Sequence, residues 1–213
     1  MKIKSIVLLA AGVAAVGAVA VRAATSDIEQ PDYRVVSSEG DFEIREYEPM
    51  IVAQATVVGE RRKAMNDGFR IIADYIFGNN LSSQEVAMTA PVTQQASEKI
   101  AMTSPVTQQA SGTGTENSWQ VRFVMPSEYT MDTLPKPKNM AVTLLEVPAK
   151  RVAAIRYSGN AQQSDVDKHR EKLMAFLSAE KLTAANDPTY AFYDAPWTPG
   201  FMRRNEVMVE IES

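Results

Sequence analysis

The chain has 213 residues, 45% hydrophobic and 23% charged, with a formal net charge of −4. That balance is ordinary for a globular protein of one or two domains, and the absence of any basic run argues against nucleic acid as a partner. There is no cysteine, which removes disulfides, thiol chemistry and thiolate metal sites.

The first 24 residues stand apart from the rest. Lys2 and Lys4 precede Ser5 to Val21, an uncharged run dominated by Ala, Val, Leu and Ile, and Val21-Arg22-Ala23 places small residues where a signal peptidase cleaves. These are the n-region, h-region and cleavage site of a signal peptide. The alternative is that residues 5–21 stay on as a membrane anchor, at the short end of the ~17–25 residues that span a bilayer. Either way the domain, residues 31–213, is expected to be exported, periplasmic or held at the membrane. Cleavage after Ala23 removes three of the 22 basic residues and none of the 26 acidic ones, taking the charge from −4 to −7. The roughly 190 residues that remain suffice for a core that needs no disulfide.

Thr25 to Asp32 reads as a polar linker. Tyr33 to Val36 is a short strand, Ser37 to Asp41 a turn cluster, and Phe42-Glu43-Ile44-Arg45 alternates as a half-buried strand does. After Pro49, Met50 to Val58 is a further strand ended by Gly59. Glu60 to Phe77 is the first helix, because Met65, Phe69, Ile72 and Ile76 recur at spacings of four, three and four and share one face. That stripe is either core packing or the wall of a cleft.

Two near-identical phrases follow, VAMTAPVTQQAS at Val86 to Ser97 and IAMTSPVTQQAS at Ile100 to Ser111. Two copies are too few for a solenoid. Their β-branched residues favour extended strands, and the proline inside each places them at an edge or a kink. Residues 111–115 form a turn, Trp119 to Met125 a strand, and Pro126 to Asn139 a proline-rich loop. Ala141 to Val147 and Arg151 to Ser158 are strands around Pro148. Ser164 is expected to cap the second helix, with Asp167 three residues on, and its apolar face carries Val166, Leu173 and Leu177. Tyr190 to Tyr193 is a short strand, Ala195 to Phe201 an aromatic loop, and Val207 to Ile211 an alternating closing strand.

The halves echo each other at an offset of 100. Glu46 matches Glu146, Val52-Ala53 matches Val152-Ala153, and Gly59 matches Gly159. Each half reads strand, proline break, strand, glycine, helix. The expected fold class is therefore α+β: two pseudo-repeated strand–helix units whose strands form one curved sheet, with both helices packed on it.

Four stretches, in this order and spacing, resemble a known family. They are Ala73 to Asn80 (ADYIFGNN), the AMT-x-PV phrase, Arg122 to Pro126 (RFVMP), and Pro196 to Val207 (PWTPGFMRRNEV). Across about residues 31–212 the chain is similar to the SOUL haem-binding proteins. The resemblance implies a distorted antiparallel β-barrel with two helices packed on it, like the drug-sensing domains of gyrase-inhibitor-like proteins, and non-covalent binding of haem or another tetrapyrrole in an apolar cleft beside the first helix. It implies contacts from Met65, Phe69, Arg70, Ile72 and Ile76 of that helix, and from Trp197, Phe201 and Arg203 of the late loop. Storage, transport or buffering by a monomer, without catalysis, is the activity it implies.

The chemistry-bearing residues are few. His169, the single histidine, is a possible axial ligand on the second helix, or a solvated or hydrogen-bonded side chain. One histidine and no cysteine leave little for a zinc site or a catalytic triad. Met88 and Met102 offer thioethers but suit core gaps as well. Arg203-Arg204-Asn205-Glu206 reads either as a structural ion pair or as a propionate clamp. Trp197 and Phe201 either cover a pocket or dock onto the sheet. Three functions stay open on the residues: tetrapyrrole binding, binding of other apolar or cationic small molecules, and a haem-modifying enzyme.

Overall fold

The computed structural model describes residues 28–82, 97–111, 117–195 and 197–212. The apolar N-terminal run and the first AMT-x-PV phrase, including Met88, lie outside these residues.

In chain order the elements are β1 (Tyr33–Glu39), β2 (Phe42–Tyr47), β3 (Met50–Val58), α1 (Arg61–Ile76), β4 (Asn80–Leu81), β5 (Val106–Ala110), β6 (Ser118–Val124), β7 (Lys136–Pro137), β8 (Thr143–Val147), β9 (Lys150–Tyr157), α2 (Gln163–Ala179), β10 (Thr189–Phe192) and β11 (Asn205–Glu210), with a 3₁₀ turn at Gly200–Met202. Nine strands form one antiparallel sheet in the order β1-β2-β9-β11-β10-β5-β6-β3-β8, and β4 pairs with β7 separately. This is the expected α+β class.

That order is a palindrome. Exchanging β2 with β8, β3 with β9, β5 with β10 and β6 with β11 reverses the eight strands beyond β1 onto themselves, so a pseudo-twofold axis passes between β5 and β10. Registers obey it too. Met50 opposes Val147 while Tyr47 opposes Lys150, the same pairing with each partner moved by 100 residues. Gly59 and Gly159 both sit at positive φ, +143° and +127°, where a side chain is strained. The first strand of each unit crosses over: β2 pairs with β9 of the second unit, and β8 with β3 of the first.

Both helices lie on one face of the sheet. Under α1, Ile72, Tyr75 and Ile76 pack with Ala53, Ala55, Val121 and Phe123. Under α2, Val166, Leu173 and Leu177 pack with Ile44, Ala153, Ile155 and Val207. Each such aliphatic side chain stabilises by about 1.5–3 kcal/mol on burial. A third cluster, Tyr47, Val152, Ala154, Ala191 and Met208, lies on the opposite face. A sheet with apolar residues on both faces has to curl so that the helix-free face is enclosed.

Two local expectations change. The second helix starts at Gln163 with Gln162 as its cap residue, without a side-chain cap, and Ser164 lies inside the first turn. The start is set from outside: Arg61 Nε donates to Gln163 Oε1 at 2.7 Å and its Nη2 donates to the Ala161 carbonyl at 3.1 Å. The second AMT-x-PV phrase supplies β5, which is a central strand and not an edge. Pro105 follows a cis Ser104–Pro105 peptide and precedes the strand, so no ladder donor is lost. The polar segment before β1 is tied to this phrase, because Ser104 N donates to the Glu29 carbonyl at 2.9 Å.

Candidate functional site

Strand alternation decides what faces the helix-free side. Val52, Arg122, Val124, Thr107, Gln109, Lys150, Val152, Thr189, Met208 and Glu210 alternate with residues packed under the helices. These residues, with Tyr47 from β2 and Val147 from β8, line a single cavity of about 90 Å³. Strands near opposite ends of the sheet meet around one space, so the sheet is a half-barrel and the cavity is its interior. The pseudo-twofold is visible in the wall, where Tyr47 and Val147, Met50 and Lys150, and Val52 and Val152 are equivalent pairs.

The cavity opens at both ends. One segment of about 670 Å³ is walled by Met50, Ile51, Val124, Met125, Pro126 and Met131, among others. The other, about 720 Å³, shares Gln109, Arg122, Val147, Lys150 and Glu210 with the interior. Together they make a trough through the half-barrel. Both flanks fall within the ~300–1,000 Å³ range of small-molecule sites.

Three charged side chains face the interior. Arg122 donates from Nε to Gln54 Oε1 and from Nη2 to Gln120 Oε1, each at 2.7 Å. Lys150 Nζ stands 4.0 Å from Glu210, a loose pair. Burial pulls the Arg122 guanidinium below its ordinary value. It does the same to the Lys150 amine, where Glu210 opposes the shift and Arg122 adds to it.

Beside the cavity the same face carries a packed polar cluster. Glu206 is fully buried and accepts from Arg45, from Arg204 and from the Tyr193 hydroxyl at 2.8 Å. Burial alone would raise its carboxyl, but the hydrogen bonds and charges of Arg45 and then Arg204 hold it below the ordinary value. Burial also pushes the Tyr47 phenol up to about 12. The Arg204–Glu206 phrase thus serves as an internal ion pair, with Arg45 as the partner that sequence reading missed.

The ligand contacts that the resemblance implies, with His169 and Met102, fall in four places, none of them lining the trough. Ile72 and Ile76 are sealed beneath α1, at 0% and 1% exposure. Met65 and Phe69 are half-buried at the edge of the same core, with the Phe69 ring 5.3 Å from Phe123. Arg70 is exposed and pairs with Asp67 at 3.4 Å. Trp197 and Phe201 project from the loop before β11, 86% and 80% exposed, and Arg203 Nε donates to the Thr198 carbonyl at 2.7 Å. His169 stacks on Tyr157 with centroids 4.0 Å apart, and its Nδ1 lies 2.6 Å from the Asp165 carbonyl oxygen. Tyr157 is on the helix side of β9, so the sheet stands between His169 and the trough. Met102 is exposed. Among the described residues no group of three or more His, Asp or Glu side chains converges as a metal site, and no helix is long and apolar enough to cross a membrane.

The trough residues were partly signalled. Val52 and Val152 belong to the echo at offset 100, and Arg122 to one of the four family-like phrases. Lys150 and Met208 carried no signal: Lys150 reads as part of the break after Pro148, just before a strand, and Met208 falls on the polar face of the closing strand until the sheet curls.

Comparison with solved structures places this architecture. The EcmrR C-terminal domain superposes with a TM-score of 0.57 at 11% identity, covering 81% of this chain and 97% of that one. A structure described as a hydrolase from Listeria innocua gives 0.54 at 11%, covering 81% and 92%. At these identities the likeness is one of fold alone. No curated protein sequence matches the chain significantly. The model of one family, described as SOUL heme-binding protein, matches residues 28–210. Nearly the whole of the described half-barrel lies within that match, and the chain belongs to the SOUL haem-binding protein family.

Proposed function

We propose that the chain binds haem or a related tetrapyrrole non-covalently in the trough of the half-barrel, for storage, transport or buffering. The observation that supports this reading is the wall of Met50, Ile51, Val124, Met125, Pro126 and Met131 around about 670 Å³. A flat macrocycle laid on such a wall gains about 25 cal/mol for each Å² of apolar surface removed from water. His169 is engaged on the far side of the sheet, so this mode needs no axial histidine and iron-free porphyrin binds as well. The signal-like leader suits an exported monomer, periplasmic or held at the membrane by residues 5–21.

One observation favours a second reading. Trp197, Phe201 and Met202 form an exposed apolar group on one loop. The turn beneath ties this loop to α1, because Gly159 N donates to the Gly200 carbonyl while Arg61 donates to that of Ala161. In this reading the loop, with Arg203, clasps the macrocycle against the Met65, Phe69 and Arg70 flank of α1, with Ile72 and Ile76 as backing.

Absorption titration with haemin and with metal-free protoporphyrin tests the proposal. Both are expected to bind the parent and the His169→Ala variant. Val124→Trp, which fills the trough from β6, is expected to abolish binding while Trp197→Ala preserves it. Binding that survives Val124→Trp and fails in Trp197→Ala selects the second reading. A Soret band lost with His169→Ala rules out both.

A further inference from the structure

We infer that Arg122 and Lys150 form a carboxylate-binding pair in the interior of the half-barrel, so that the ligand of this trough is an anionic amphiphile. The inference rests on reading the trough as the ligand site, and it adds the charge that the ligand must carry.

The argument starts from partners. A guanidinium brought into a protein interior is normally matched by a carboxylate, because an uncompensated buried charge is costly. The Arg45–Glu206 pair a few strands away shows this rule kept. Arg122, half-buried in the wall of the cavity, is matched differently: its two hydrogen bonds go to the neutral oxygens of Gln54 and Gln120. Among the described residues no carboxylate comes within ion-pair distance of it, and Nη1 is left with no protein acceptor. The two glutamines fix the plane of the guanidinium and so preorganise it for an incoming acceptor.

Lys150 adds the second positive charge. Its one acid, Glu210, is 4.0 Å away and is itself engaged by Asn186 Nδ2 at 3.1 Å. Arg122, Lys150 and Glu210 are the charged residues of the interior wall, which leaves it with one net positive charge. The two cations oppose one another there, and burial disfavours the charged form of each. A carboxylate entering between them relieves both penalties and completes charge-assisted hydrogen bonds, which are the strong kind. Glu29, Asp32, Glu48, Glu146 and Asp187 line the two flanking segments, but all five are exposed and their field is screened by solvent. The basic pair in the interior, with Met50, Ile51, Val124 and Met131 on the flank, describes a molecule with an acid at one end and a large apolar body.

Four probes separate the possibilities by titration of the full domain: protoporphyrin with free carboxylates, its neutral dimethyl ester, a fluorescent long-chain fatty acid, and tetraphenylphosphonium, read by its displacement of the fluorescent probes. The parent is expected to bind the free acid at least about tenfold more tightly than the ester, the worth of one charge-assisted hydrogen bond. Arg122→Gln with Lys150→Gln is expected to erase that preference, and Arg122→Lys to restore part of it. Equal binding of acid and ester by the parent overturns the pair while leaving the tetrapyrrole reading standing. Fatty-acid binding with the same dependence on Arg122 and Lys150, without porphyrin binding, upholds the pair and overturns the tetrapyrrole reading. Preference of the parent for tetraphenylphosphonium, a cation, over every anionic probe overturns the pair outright. Should the double variant fail to fold, the parent's own acid-to-ester ratio carries the test.

Discussion

The Arg45 guanidinium grips the Glu206 carboxylate at both oxygens, Nη1 to Oε2 at 2.6 Å and Nη2 to Oε1 at 2.9 Å, with both side chains essentially removed from solvent. Arg45 lies on β2 of the first unit and Glu206 on β11 of the second, and both strands flank β9. The pair therefore locks the crossover that interleaves the two units. Arg204 Nη2 adds a third contact at 2.8 Å, and Arg45 Nη1 also reaches the Tyr47 hydroxyl at 3.2 Å.

Removing one partner of such a pair strands the other. Glu206→Gln is expected to lower unfolding free energy by about 3–5 kcal/mol, whereas Arg45→Met combined with Glu206→Leu should cost much less than either single change. Urea denaturation of these four variants checks this. A loss below about 1 kcal/mol in Glu206→Gln would place the pair among surface ion pairs in its energetics.

The same carboxylate sets an acid limb of stability. Its folded value lies below the ordinary 4.5, so its contribution is fully present above that value. It is lost as pH falls through the folded value, where the unfolded chain binds more protons. Parent stability is expected to fall as pH drops below the ordinary 4.5 toward the lowered folded value, and the fall should be shallower in Glu206→Gln. Parallel pH profiles for the two proteins would assign the acid limb to other groups.

Much of this frame is legible in the sequence, and the limits are physical. The stripe on the first helix, the alternation of Val121 with Arg122 and Phe123 with Val124, and the echo at offset 100 all report local geometry. They predict two equivalent units on one sheet. They do not predict that β2 and β8 change places between the units, because pairing of distant strands leaves no mark on local periodicity. Arg45 shows the consequence. Alternation with Phe42 and Ile44 gives it a polar face, which is wet in an open sheet and buried in a half-barrel. The resemblance implies a cleft beside the first helix; the trough lies on the other face, where residues far apart in sequence converge, and local periodicity carries no sign of it.

Close packing of α1 on β6 gives a steric prediction. A Cβ at Gly68 would stand 2.5 Å from Val121 Cγ2 and 2.7 Å from its Cβ. Gly68→Ala is therefore expected to destabilise by about 1–3 kcal/mol despite the better helix propensity of alanine. Val121→Ala in the same chain should recover part of the loss. Thermal unfolding that rises in Gly68→Ala alone would show that the helix can lift away freely.

Export makes a prediction about mass. Expressed from its own start, the protein recovered outside the cytoplasm is expected to begin at Ala24, and an intact-mass spectrum reads this directly. A full-length product in the membrane fraction would assign residues 5–21 to an anchor, and a full-length soluble cytoplasmic product would contradict export.

The location of the ligand is the central claim, and paramagnetic broadening by haemin reads it without any substitution. Amide resonances of residues 50–52, 122–125, 147–152 and 208–210, which surround the trough, are expected to broaden first as haemin is added to isotope-labelled protein. Those of residues 65–70 and 197–203 should stay sharp. Broadening centred on α1 and the Trp197 loop, with the trough residues unaffected, would contradict a ligand inside the half-barrel.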